Sequence, residues 1–267
     1  MRRAGDVVKG RCLWALLLLL LLSGCISHVQ QLREAQDEFN RAATLENEIR
    51  LDPRKADAAT LGNVTASYRL ALSDLTDLME KNRDELEKDK LIGVAYTLKA
   101  LTEWRLGDYA ATMDTVNAAR GYPEGTLYHR DRLLLMALRG LVKNDQAFRL
   151  MADKKGSYEQ IKTLLSEALQ DMGELMPALS SGDNLRVYLT MARLGVLKNW
   201  QDLRSSPDIP RPPSFSAEME RKAWCHHLKA SWGDFEKEMN GLSTREAEDL
   251  KAWWGALLNP KELCPNE

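Results

Sequence analysis

Apolar residues recur every three or four positions along nearly the whole chain beyond residue 27, and nothing constrains its fold more than that spacing. A period near 3.6 gathers such residues on one side of a helix, whereas a half-buried strand needs strict alternation. Sustained alternation is missing. Leu32, Ala35, Phe39, Ala42 and Ala43 make one face that ends before Asp52-Pro53, because proline lacks the N–H and crowds the preceding turn. A second helix is predicted from about Ala56 to Lys81, with Leu61, Val64, Tyr68, Ala71, Leu72, Leu75 and Leu78 facing inward. The charged stretch Glu80 to Lys90 reads as a turn and the exposed start of the next helix. The expected class is all-α. With 44% hydrophobic residues and 28% charged ones, the chain can bury one substantial core or two small ones, and disorder is disfavoured.

The N-terminus has a different character. Arg2, Arg3, Lys9 and Arg11 accompany an unbroken apolar run of 11 residues, Cys12 to Leu22. A spanning helix needs about 20 apolar residues, so the run reads as the apolar region of an export signal. Leu22-Ser23-Gly24-Cys25 then resembles the lipobox of bacterial lipoproteins: an aliphatic residue, two small residues that fit a peptidase cleft, and a cysteine. The resemblance implies cleavage before Cys25, diacylglycerol on its thiol and acylation of the new α-amino group. Each buried acyl methylene contributes roughly 0.8 kcal/mol, and two or more chains anchor stably. An ordinary cleaved signal beside an unrelated cysteine is the alternative. Ile26, not aspartate, follows the cysteine; by the sorting rule of proteobacterial lipoproteins this points to the outer membrane, periplasmic face.

Removing residues 1–24 leaves 33 basic and 38 acidic side chains, a formal charge of −5. A mildly acidic surface without a basic stripe argues against a nucleic-acid partner and against polybasic docking to lipid. The membrane is therefore expected as a partner only through lipid on Cys25. Cys12 leaves with the signal, and Cys225 and Cys264 remain as an even pair in an oxidising compartment. They read as a disulfide, with two buried thiols as the alternative.

Residues 91–123 carry the most informative pattern of the body: Tyr96, Ala100, Trp104, Gly107-Asp108-Tyr109, Ala119 and Pro123. Together they resemble one tetratricopeptide repeat, a helix, a Gly-Asp-Tyr turn, a second helix and a closing proline. In that family Tyr96 is the first aromatic, Ala100 lets the helices approach, and Ala119 packs back; Thr112 departs from the usual alanine. Gly107 supplies backbone freedom at the turn. One such unit cannot bury its face alone, so neighbours should stack on it. Candidate partners are Leu127 to Leu141 with Ala147 to Met151, turning at Lys143-Asn144-Asp145, and Tyr158 to Met172 with Leu185 to Leu197, with Lys198-Asn199-Trp200 as a further turn. The expectation is three to four stacked antiparallel hairpins, a tetratricopeptide-like superhelix over 25–204, with an irregular bundle as the alternative. Pro207, Pro210, Pro212 and Pro213 make 205–216 a stiff connector. A small helical tail, 217–267, follows: a helix from Ala217 to about Ser231, then one opened by a Ser243/Glu246 capping box.

No catalytic signature is present. Gly-x-Ser-x-Gly, His-Glu-x-x-His and phosphate-cradling glycine loops are all missing. Cys225-His226-His227 has ligand chemistry, but adjacent helical residues point about 100° apart and cannot converge on one ion. Trp224, Trp232, Trp253 and Trp254 are expected to fill the core of the tail, with one exposed ring as the alternative. The composition therefore predicts neither enzyme activity nor a cofactor. The lipobox and repeat resemblances together imply a lipid-anchored scaffold that holds a protein or peptide partner in a groove, with Thr97 and Lys99 as examples of lining residues. A small-ligand carrier and a cell-wall enzyme are the other classes considered.

Overall fold

The computed structural model describes residues 27–265 except Glu124 and Ser243, and it is helical throughout, with no strand among the described residues. Cys25 and the rest of the lipobox lie outside the described residues. The chain divides into two compact units, residues 1–102 and 103–267.

In the first unit, α1 (His28–Leu51) and α2 (Ala58–Lys81) form an antiparallel hairpin. The seam follows alternating steps of three and four residues. Leu32, Ala35 and Ala42 of α1 meet Val64, Tyr68, Ala71, Leu75 and Leu78 of α2, all at most 9% exposed. That spacing suits two helices crossing at a shallow angle. Phe39 stands 5.5 Å from Tyr68, whose hydroxyl donates to Glu46 at 2.7 Å. Ser27 and Asp57 cap the two helices by accepting from the Gln30 and Thr60 N–H groups. Leu61, expected inside, is 47% exposed; it lies in the first turn of α2, one step N-terminal to where the seam begins. A short α3 (Arg83–Lys88) follows, and its Leu86 is fully buried, so the charged stretch is not wholly exposed. Helix α4 (Ile92–Arg105) then leads into the second unit.

The second unit continues with α5 (Tyr109–Arg120), α6 (His129–Ala152), α7 (Tyr158–Leu175), α8 (Asn184–Ser205), α9 (Ala217–Leu242), α10 (Arg245–Leu258) and the single turn α11 (Pro260–Leu263). The principal packings are α5 on α6, α6 on α7, α6 and α7 on α8, α8 on α9 and α10, and α9 on α10 and α11. All join helices one or two places apart in chain order. Helix α8 is central: Leu189, Leu194, Val196, Leu197, Trp200 and Leu203 are at most 2% exposed. Residues 217–267 belong to the same compact unit as α8.

Two expected turns are absent. Helix α6 passes through Lys143-Asn144-Asp145 without a break, and α8 passes through Lys198-Asn199-Trp200. The polar residues that mimic turn signals are engaged between helices instead: the Asn199 amide donates to Asn144 Oδ1 at 2.9 Å, and the Trp104 indole donates to Asp145 at 2.8 Å. Burial of Asp145 pushes its carboxyl above the ordinary range, against the Trp104 and Asn144 hydrogen bonds. Helix α9 also extends to Leu242, well past Ser231, because Phe235, Glu238 and Met239 continue its buried face beyond Gly233. The Asn240-Gly241 pair, a hairpin dipeptide in other settings, lies in its last turn. Helix α10 is capped one residue later than expected: Thr244 accepts from the Ala247 N–H, and Ser243 lies outside the described residues.

Candidate functional site

The Gly-Asp-Tyr segment forms a helix stop followed at once by a helix start. The Asp108 N–H donates to the Glu103 carbonyl at 3.0 Å and the Gly107 N–H to the Trp104 carbonyl at 2.9 Å. This is the paired-bond Schellman ending, which puts Gly107 at φ +75°, where a side chain is disfavoured. The Asp108 carboxylate then accepts from the Ala111 N–H, capping α5. Arg149 of α6 closes the turn, with its guanidinium 4.8 Å from the Tyr109 ring centre and Nη1 directed at the Gly107 carbonyl at 3.5 Å. A Cβ on Gly107 would stand 2.8 Å from Arg149 Nη2. Thr112, the departure from the repeat pattern, is fully buried, and its hydroxyl donates to the Asp108 carbonyl at 2.8 Å.

The other repeat-like residues fall on both sides of the division between units. Tyr96 and Ala100 are buried in α4, Ala119 is buried in α5, and Pro123 follows the end of α5. The Pro123 carbonyl accepts from the Thr126 N–H and from Arg132. Thr97, expected to line a groove, is instead only 6% exposed; it sits on the inward side of α4 with Tyr96 and Ala100.

Around Tyr109 the second unit opens a cleft of about 590 Å³. Tyr109, Leu150 and Leu164 give it apolar walls, and Gln146, Arg149 and Thr163 contribute polar groups. Three elements meet there: the start of α5, the last turns of α6 and the first half of α7. A second open cleft, about 600 Å³, lies along α9, α10 and α11 beside the disulfide, with Trp232, Gly233 and Gly255 among its lining residues. Cys225 and Cys264 are bonded, with Cα atoms 5.8 Å apart, and both are buried. Trp224 and Trp254 fill the core as expected, whereas Trp253 is 56% exposed and packs edge-on against Trp254.

Four carboxylates are at most 8% exposed among the described residues, Glu103, Asp171, Glu220 and Glu238, and the last two each gather three donors. Glu220, 7% exposed, accepts from Lys162 Nζ, the Tyr158 hydroxyl and the Trp200 indole. Burial and the nearby carboxylate push the Tyr158 phenol well above its ordinary range. Glu238, 1% exposed, accepts from Arg186 Nε at 2.6 Å, the Gly182 N–H at 2.9 Å and the Ser181 hydroxyl. Burial raises the Glu238 carboxyl, but these donors outweigh it and hold the group below the usual carboxylate range. Arg186 also donates to the Met176 and Leu179 carbonyls, so one ion pair fastens α9 to the segment joining α7 and α8. Both carboxylates are engaged by donors of the fold, and neither lines the two clefts.

Among the described residues, no group of three or more His, Cys, Asp or Glu side chains is placed to hold a metal ion. The Cys225 sulfur is in the disulfide, and the His226 and His227 rings lie edge-to-face at 5.7 Å. His227 is held below its ordinary pKa by burial, then by His226 and Arg193. No described helix is long and apolar enough to cross a membrane. Comparison with protein-family models, with curated proteins and with solved structures finds no match to this chain. The cleft at Tyr109 was only half legible in the sequence. The turn itself was readable, but Arg149, Leu150 and Leu164 come from two other helices and carry no local signal.

Proposed function

We propose that this chain is a lipid-anchored scaffold of the bacterial cell envelope, cleaved before Cys25 and tethered by lipid on that residue. Its helical body holds a segment of a protein partner in the cleft beside Tyr109. The observation that carries the reading is the cleft itself. It is open to solvent, has apolar walls and a polar rim, and is built on the turn that resembles a tetratricopeptide repeat. Such a surface suits an extended or helical peptide with alternating anchors. The local order of packing in the second unit, whose principal contacts join near neighbours among the described helices, supports a stack of hairpins. The bonded pair Cys225–Cys264 supports residence in an oxidising compartment.

The test is site-specific photo-crosslinking of the full-length chain in its native membrane. A crosslinker at Thr163, exposed in the cleft, should yield one discrete adduct, and Leu164→Glu should abolish it without changing the helical content. Adducts that persist in the Leu164→Glu chain, or a Thr163 probe that captures nothing while exposed control positions do, would refute the cleft as the docking site.

A further inference from the structure

Lys229, Trp232, Gly233 and Glu236 of α9 are spaced i, i+3, i+4 and i+7 and therefore share one helical face. That face is one wall of the open cleft of about 600 Å³ beside the disulfide; Gly255 of α10 and Lys261 of α11 line it as well. Packed helices ordinarily fill such a seam with interlocking side chains. Here both helices carry glycine. A Cβ on Gly233 would meet nothing within 4 Å, and one on Gly255 would touch only Trp232 Cη2, at 3.9 Å. Glycine costs about 1 kcal/mol against alanine in a helix interior, and no neighbouring atom demands it at either place. What the two missing side chains leave is the space of the cleft, whose volume suits a small ligand.

The charges along this cleft have an order. Cys225 lies one turn before Lys229, Cys264 lies one turn after Lys261, and the two cysteines are bonded with Cα atoms 5.8 Å apart. Both ammonium groups are therefore attached near the disulfide end. Trp232 follows Lys229 about 4.5 Å further along the α9 axis, and Glu236 follows it by about 10.5 Å. The Trp232 ring is half-buried and steadied by Phe235, 5.5 Å away between ring centres. Lys229, Glu236 and Lys261 are exposed, and none is tied into an ion pair with another described residue. No other charged side chain lines the cleft. From the disulfide outward the order is two cations, an aromatic wall beside a bare floor, and one anion.

We propose that this cleft binds the carboxyl-terminal end of a short peptide, independently of the cleft at Tyr109. The terminal carboxylate lies between the Lys229 and Lys261 ammonium groups. The last side chain, an apolar one, lies against the Trp232 ring over the glycine floor. A cationic group upstream faces Glu236. An extended chain advances about 3.3–3.6 Å per residue, so the amino group of a tripeptide spans the distance from the lysines to Glu236. Capture of a free carboxyl terminus is an established mode of peptide recognition, and here charge complementarity fixes the direction in which the peptide lies.

The experiment is calorimetric titration of the full-length chain, purified in detergent, with the tripeptide Ala-Ala-Phe. Its carboxamide, its N-acetyl form and Ala-Ala-Ala remove the anion, the cation and the ring in turn. Saturable binding of Ala-Ala-Phe at about millimolar affinity or tighter is expected. The carboxamide should bind about tenfold or more weakly, and the other two about fivefold. Lys229→Gln should weaken Ala-Ala-Phe and leave the carboxamide unchanged, whereas Glu236→Gln should weaken Ala-Ala-Phe and leave the N-acetyl form unchanged. Gly233→Leu fills the floor where no atom obstructs it, so binding should be lost while the melting temperature does not fall. No saturable binding of Ala-Ala-Phe, equal affinity for any of the three control peptides, or undiminished binding to the Gly233→Leu chain would overturn the assignment.

Discussion

Gly140 lies in the middle of α6, where the helix faces α7, and replacing it with alanine sets two effects of opposite sign against each other. In an unhindered helix interior, alanine is favoured over glycine by about 1 kcal/mol. At Gly140, however, a Cβ would stand 2.8 Å from Met172 Cγ, 3.2 Å from Met172 Cε and 3.0 Å from the Ala168 carbonyl oxygen. Carbon atoms prefer about 3.5–4.0 Å, so the nearest contact is roughly 0.7 Å too close. Met172 is fully buried, and the Ala168 oxygen belongs to the α7 backbone, so the two helices must separate. Overfilling a packed interior costs about 1–3 kcal/mol, which exceeds the propensity gain. Gly140→Ala should therefore destabilise by about 0.5–2 kcal/mol. Gly195 in α8 has nothing within 4 Å of its Cβ position, and Gly195→Ala should stabilise by about 0.5–1 kcal/mol. Urea denaturation followed by circular dichroism compares the two, and thermal midpoints should move about 2–4 °C per kcal/mol in opposite directions. A Gly140→Ala chain as stable as wild type, or more so, would show that α6 and α7 do not approach as described.

Gly107→Val should cost about 2–3 kcal/mol, because a branched side chain is forced to φ +75° and displaces Arg149 from the turn; a melting temperature equal to wild type contradicts this. Glu238→Gln should destabilise by about 3–5 kcal/mol by leaving the 12%-exposed Arg186 without its counter-charge. The same pair sets a pH dependence. The folded-state pKa of Glu238 is depressed, so its contribution is present above the ordinary carboxylate pKa and lost as pH falls through the folded value. Wild type should lose more stability than Glu238→Gln on acidification, and parallel profiles would count against the ion pair. Replacing Cys225 and Cys264 with serine opens a closure between residues separated by 39 positions. Loop entropy predicts a loss of about 3–4 kcal/mol, measured as a lower urea midpoint; an unchanged midpoint contradicts a bonded pair.

What the sequence reveals follows from which interactions are local. The helical class, the α1 and α2 faces, the stop at Pro53 and the Gly107-Asp108 turn depend on residues within a few positions of one another, and each was readable. The Asn144-Asp145 and Lys198-Asn199 turns were misread for a physical reason. A polar residue in mid-helix signals a turn only if its side chain turns back on its own backbone. Asn199 instead reaches Asn144 on another helix, and Asp145 reaches Trp104. Buried Glu220 and Glu238 were likewise unreadable, since their donors lie more than 15 residues away in the chain.

The most direct test of the tethered-scaffold account is intact and peptide-level mass spectrometry of the chain purified from its native membrane. The account predicts that the mature protein starts at Cys25, carries diacylglycerol on the sulfur and an acyl group on the amino nitrogen, and partitions into detergent. A mature chain that begins elsewhere, or a Cys25 with a free thiol in a water-soluble product, would contradict it.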